Sequence, residues 1–489
     1  MPSDDKKAGR GVLVEAENGA AIEYDETGLV LHLSDIVVTD LARRLGRLAP
    51  AITTSAAEQP EAALVRQVER LDPAVLGDID AWDVTRSGDW FTFAARLPGA
   101  EGPRRYLRHA AGGGIVAETG GPVLGILGLG GGRQATTWSG APRFPHHVVS
   151  CPPPHEGEPD RPVVTLRHRS ADSELADALI AVRHQAYRRL PLVVTGHELV
   201  APGPLPVPDA ALDALDVLLD RMSALAGAFG KDARLLALRV EPGPDNAPTD
   251  AEAFHRDWIA LLDRLAERVA GRNLGALRFL TVADCGAWWQ NDADANRPAL
   301  EGFHRLALRP GMHQLIVAAA GYMFAQDGLG QPTPEAASER ADMEAHALEA
   351  ALARQDWVCP LMCLAEREGD VIRATFKTAG PLVIDHADPF GAGPGAGFAL
   401  AGTEARVASV EIAPDDPEAV LIRLDGALLP APGGHAPRLD YAIGGPMRDR
   451  TAGELHAPAC GALRDDWQAV SRTGRALHRW ALPGSIEIR

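Results

Sequence analysis

Residues 192–198 read LVVTGHE, residues 235–243 LLALRVEPG, residues 277–284 LRFLTVAD and residues 314–320 QLIVAAA. Each holds a short, nearly continuous apolar run, too short for a helix and lacking the alternation of a strand with one wet face, and most run on into glycine or acid. Such runs are strands covered on both faces, as in a parallel sheet. The stretches between them carry a helical period: 174–189, 210–229, 251–269 and about 298–308, with a last one over 334–353. Helix and strand alternate, and right-handed crossovers put helices on both sides of the sheet. The reading is a doubly wound α/β domain over 166–356.

Outward from that unit the pattern changes. Residues 1–165 break into short β-prone pieces (11–15, 28–33, 90–96) and a glycine-rich stretch over 112–132, which predicts a β-rich N-terminal module. Gly128, Gly130, Gly131 and Gly132 lack the Lys-Ser/Thr that would close a phosphate loop, and are expected to form a tight β-connection. The prolines after Cys151 make a stiff linker that ends this module. Beyond Trp357 the helical period stops, and 371–378, 406–412 and 420–424 alternate between turn residues, predicting a C-terminal β-sandwich over 357–489.

The chain has 489 residues, room for about three domains, and its 46% apolar and 23% charged residues are those of a globular protein. A net charge of −18 repels polyanions, so neither nucleic acid nor an anionic membrane surface is an expected partner. No apolar run is long enough to span a membrane, and the polar first ten residues lack the form of a secretion signal, so synthesis in the cytoplasm is expected. Five scattered cysteines argue for reduced thiols. Cys359 and Cys363 have no second ligand pair, so no structural metal is expected. No cofactor motif occurs.

In an open parallel sheet, ligands bind beyond the carboxyl ends of the strands. There the sequence places His197 and Glu198, Asp245, Asp284 with Trp288 and Trp289, and Gln326-Asp327-Gly328. Indole faces and carboxylates suit the apolar and hydroxyl sides of a sugar ring, so these residues form a candidate carbohydrate-binding set. In an extended segment adjacent side chains point opposite ways, so one of Trp288 and Trp289 should be buried and the other exposed. His255 and Trp258 stand at helical spacing and read as packing. Glu198 with Asp245 or Asp327 would be an acid pair for glycosidic cleavage if it faced one sugar oxygen.

The order strand, Gly-X-X, acidic glycine motif, then Asp-Gly-X-X resembles the SGNH or GDSL hydrolases, in particular the carbohydrate esterases of phage-like proteins. The tail is similar too, at Trp357 to Leu361, 371–385, Leu439 to Ala442 and Gly461 to Asp465. The resemblance covers about 190–470 and implies a Gly-Gln-Ser nucleophile motif and a late Asp-X-X-His pair. Aligned to it, the nucleophile position holds Glu198, Asp327 is kept, and the histidine position is Gly330. A serine hydrolase needs hydroxyl, imidazole and acid together. The resemblance therefore implies a degenerate cleft that binds carbohydrate without cutting it, with an active O-acetylesterase or glycosidase and a purely structural adaptor as the alternatives. Its setting is the surface of a phage-like particle, in the manner of the head spikes of gene transfer agents. The partners it implies are a capsular or other surface polysaccharide, particle proteins and further copies of the chain.

Overall fold

The computed structural model describes residues 11–16, 19–25, 28–31, 79–98, 102–131, 137–151, 162–186, 188–200, 205, 207–246, 250–288, 293–430, 436–443 and 455–489. The chain divides into two units, Met1–Leu71 and Asp72–Arg489. Of the first, three antiparallel strands are described, Gly11–Ala16, Gly19–Asp25 and Gly28–Leu31.

The second unit centres on a seven-stranded sheet. We label its strands in chain order: β1 (Val123–Gly130), β2 (Val148–Ser150), β3 (Val164–Thr165), β4 (Leu192–Leu199), β5 (Ala233–Glu241), β6 (Phe279–Ala283) and β7 (Leu315–Ala320). Their order across the sheet is β3-β2-β4-β1-β5-β6-β7. All pairs are parallel except β3 with β2. The helices are α1 (Ala171–Gln185), α2 (Asp209–Ala228), α3 (Ala251–Ala270), α4 (Ala293–Leu308) and α5 (Pro334–Leu352). Their starts follow local chemistry. Ser170 and Ser173 form a reciprocal cap on α1, Asp250 accepts from Glu252 N at α3, and Thr333 precedes Pro334 at the first position of α5.

The glycine-rich stretch departs from its expected role. Residues 123–130 are not a connection of an N-terminal module; they are the wholly buried strand at the centre of the parallel sheet, and β2 also belongs there. The expected boundary at 165 therefore divides what the backbone pairs together. The glycines are close-approach positions. A Cβ on Gly125 would lie 2.2 Å from Met222 Sδ of α2, and one on Gly128 would lie 2.6 Å from Asp172 Oδ1 of α1. Three residues apart on a strand, they face opposite sides, which places α1 and α2 on opposite faces and makes the sheet doubly wound.

Residues 81–117 form a four-stranded antiparallel meander with a small core of Phe93, Ala95, Leu97, Tyr106 and Ala117. After α5 the described chain is all antiparallel strands, in sheets of four (361–368, 371–377, 419–425, 406–412), three (382–384, 463–470, 476–480) and three (398–401, 438–441, 484–487). Their buried side chains join the same apolar core as the parallel sheet. The turn at Ser471–Arg475 reaches the helical layer. Arg472 donates to Asp342 of α5 (2.5 Å) and to Glu174 of α1 (3.3 Å), and Thr473 to Glu339 (3.1 Å). Among the described residues no helix is long and apolar enough to cross a membrane.

Candidate functional site

The run LVVTGHE does not end in a loop. β4 continues to Leu199, so His197 and Glu198 sit on the strand and point to opposite faces. In the register of the sheet, Gly128 of β1 lies between His197 of β4 and Arg239 of β5. The missing side chain leaves a floor over which α1 lowers Asp172. A Cβ at 128 would stand 2.2 Å from His197 Nδ1. Asp172, wholly buried, accepts from His197 Nδ1 (2.9 Å) and from Arg239 (2.9 Å). Burial alone would raise its pKa, but Arg239 and His197 hold the carboxyl down to about 2. An ionised carboxylate only accepts, so Nδ1 carries a proton and, in neutral His197, Nε2 bears the lone pair. That nitrogen is buried and has no hydrogen-bond partner among the described residues.

Arg239 is the hub of the layer. Fully buried, it also donates to Glu241 (2.7 Å) and to Glu344 of α5 (3.0 Å). Burial works against its charge, but Glu344 and Asp172 outweigh it and raise its pKa. Arg340, one turn before Glu344, contacts both Glu241 and Glu344. Burial brings its guanidinium down to about 10. Two guanidiniums thus meet three carboxylates, with the His197 imidazole beside the third.

At the carboxyl ends of β5, β6 and β7, Glu241, Asp284, Gln326, Gly330 and Arg340 line a cleft of about 40 Å³. That volume holds about one water or one small substituent, not a sugar ring. Gln326 closes one wall by donating to Gly286 O (2.9 Å) and accepting from Trp288 N (2.8 Å). The half-buried Trp288 donates its indole N–H to Asp327 O (3.1 Å). Asp284 accepts from Gly286 N (2.9 Å), and Gly243 is held without a side chain because a Cβ would come within 2.3 Å of the Asp284 carboxylate.

The expected site residues are only partly brought together. Asp284 and Gly330 line the cleft and Trp288 flanks it. Asp327 does not line it; its carboxylate closes a turn by accepting from Leu329 N (2.8 Å) and Gln331 N (2.9 Å). Gly330, where the resemblance expects histidine, has φ +74, a backbone conformation that disfavours any side chain. Glu198 is half-buried, its pKa raised by burial. It stands four strand spacings from β7, roughly 19 Å at about 4.8 Å per strand. Neither Glu198 nor Asp327 lines the cleft, and the Asp327 carboxylate is engaged by its own turn. Asp245 has its backbone in the short turn Pro244–Asn246; its side chain and the whole of Trp289 lie outside the described residues. Trp258 is wholly buried and His255 bonds Arg309 O, both away from the cleft. Among the described residues no three His, Cys, Asp or Glu side chains are grouped to hold a metal ion.

The first strand of the parallel sheet is β1, not β4. Among the described residues at the end of β1, Gly128-Leu129-Gly130-Gly131, there is neither hydroxyl nor thiol. A Cβ on Gly130 would meet Glu241 Cβ at 2.8 Å, so this end is closed to side chains as well. Sequence reading missed Asp172, which looks like an ordinary acid in a first helical turn, and with it the whole network. One signal was present: Arg239 is a lone cation inside the apolar run LLALRVE, and a buried guanidinium requires acids around it.

No protein-family model matches the chain, and no curated protein does. Among solved structures, a carbohydrate acetylesterase from Xanthomonas citri superposes with a TM-score of 0.45 at 13% identity, over 83% of this chain and 86% of that one. The strand order above rests on the hydrogen-bond registers of this chain, and the chemistry of its site on its own side chains.

Proposed function

We propose that this protein binds carbohydrate at the carboxyl edge of its parallel sheet without hydrolysing it, on a degenerate SGNH-type scaffold with a C-terminal β-sandwich. The observation that carries the reading is the end of β1. A covalent hydrolase needs an attacking hydroxyl beside its imidazole, and the described residue in register with both His197 and Arg239 is Gly128, whose side-chain space is already filled by His197 and Asp172. The charged groups beside it are spent on one another. The small cleft of Glu241, Asp284, Gln326 and Arg340 suits a hydroxymethyl or acetyl substituent, with the ring lying across its mouth toward Trp288. In this role the protein is a receptor-binding spike or fibre of a phage-like particle, carried in several copies so that weak sugar contacts add up.

A second reading is favoured by His197. Oriented by an ionised Asp172 and with Nε2 unpartnered, it has the form of a general base, and a base can activate water directly for O-deacetylation. Incubation of the purified protein with an O-acetylated bacterial polysaccharide separates the two. The proposal predicts binding with no acetate above the no-enzyme control. Acetate release abolished by His197→Ala would establish the esterase instead. An adaptor with a vestigial cleft predicts that Trp288→Ala leaves polysaccharide binding unchanged; the proposal predicts at least a fivefold loss.

A further inference from the structure

A second cavity, of about 500 Å³, lies between the 81–117 meander and the last two turns of α2. It is within the size range of small-molecule sites and more than ten times larger than the edge cleft of about 40 Å³. Helix α2 ends just before β5 begins, so this cavity lies toward the amino ends of the strands, away from the cleft. One wall is the two-residue hairpin turn between Ser87 and Trp90, where Gly88 takes φ +58 and exposes Asp89. The other is one face of α2, on which Arg221, Ala224 and Ala228 recur at helical spacing. The two exposed alanines keep the space open where longer side chains would fill it.

The lining is built. Trp90 packs edge-on against Phe229 (4.6 Å) and against His109 (5.1 Å), its partner across the strand pair. His109 Nδ1 accepts from Ala111 N (3.2 Å), which leaves the proton of the neutral ring on Nε2 as a donor. The cavity thus combines an imidazole donor, the Asp89 carboxylate as acceptor, the Arg221 guanidinium and an indole. The chain's net charge of −18 disfavours a polyanion. A neutral polyhydroxylated ring matches both donors and acceptors and the apolar wall. From this juxtaposition we infer that the cavity is a saccharide-binding site, holding one or two neutral hexose units, separate from the sheet edge.

The test is saturation-transfer NMR on the full-length protein with D-glucose, D-galactose and N-acetyl-D-glucosamine as probes, in the wild type, Ala224→Leu, Asp89→Asn and Trp288→Ala. Ala224 and Asp89 are exposed, so neither substitution threatens folding. The inference predicts transfer to at least one sugar, reduced fivefold or more by Ala224→Leu, which fills the cavity, and by Asp89→Asn, and kept in Trp288→Ala. Transfer unaffected by Ala224→Leu, or no transfer to any of the three, overturns it. Signal lost in Trp288→Ala but retained in Ala224→Leu would uphold the edge reading alone; the converse pattern would uphold this site whatever the edge binds.

Discussion

Replacing Arg239 with methionine removes the one cation that touches Asp172, Glu241 and Glu344 together, at 2.9, 2.7 and 3.0 Å. The three acids stay buried, with Arg340 shared between two of them and only the His197 imidazole for the third. Removing one partner of a buried ion pair costs about 3–5 kcal/mol. At ~1.4 kcal/mol per decade this accelerates the slowest amide exchange of β1, β4 and β5 by about a hundredfold to several thousandfold. Hydrogen exchange read by mass spectrometry, corrected for intrinsic rates, localises the loss to those strands. The pH dependence gives an independent check. In the wild type the Asp172 carboxyl, held at about 2 against an ordinary value of 3.8, contributes stability that is present above pH 4 and lost as pH falls through 2. Without Arg239, burial dominates and raises that pKa, so the variant regains stability as pH drops from 6 to 4. The gap between the two proteins should therefore narrow on acidification. An exchange change below tenfold, or a gap that widens toward pH 4, refutes the network as described.

Gly128→Ala should destabilise by about 1–3 kcal/mol through overpacking and break the His197–Asp172 contact, since its Cβ would lie 2.2 Å from Nδ1; an unchanged denaturation midpoint and unchanged His197 ring resonances would contradict this. Asp177, buried on α1 and accepting from Arg143 N and Phe144 N, has its carboxyl pushed up by burial to about 6. Its ionisation therefore costs stability as pH rises from 4 through 6, by about 3 kcal/mol in all, and Asp177→Asn should flatten that part of the stability profile in denaturant titrations. Of the five cysteines only Cys363 is exposed. One thiol per chain should react with an aromatic disulfide reagent under native conditions and all five in denaturant; two or more fast native thiols would contradict the placement of Cys151, Cys285, Cys359 and Cys460.

The helices and most strands of the α/β unit were legible because their periods are strong. The expected 251–269 became Ala251–Ala270, and 334–353 became Pro334–Leu352. The central strand was not legible. Gly125, Gly128 and Gly130 interrupt the apolar pattern of β1, and the groups that occupy their space, Met222, Asp172 with His197, and Glu241, come from elsewhere in the chain. Local pattern cannot register a side chain supplied by another segment. The same limit applied to the site: Asp284 and Trp288 follow a strand end and were found by that rule, whereas Asp172 meets His197 only because α1 packs on the face of the sheet that His197 faces.

The central claim is tested most directly by following one titration in two channels, calorimetric heat on adding an O-acetylated bacterial polysaccharide and free acetate by proton NMR in the same sample. Saturable heat with no acetate above the blank is the outcome that a glycine-ended β1 predicts. Acetate that accumulates with repeated turnover, and stops in His197→Ala, would contradict it.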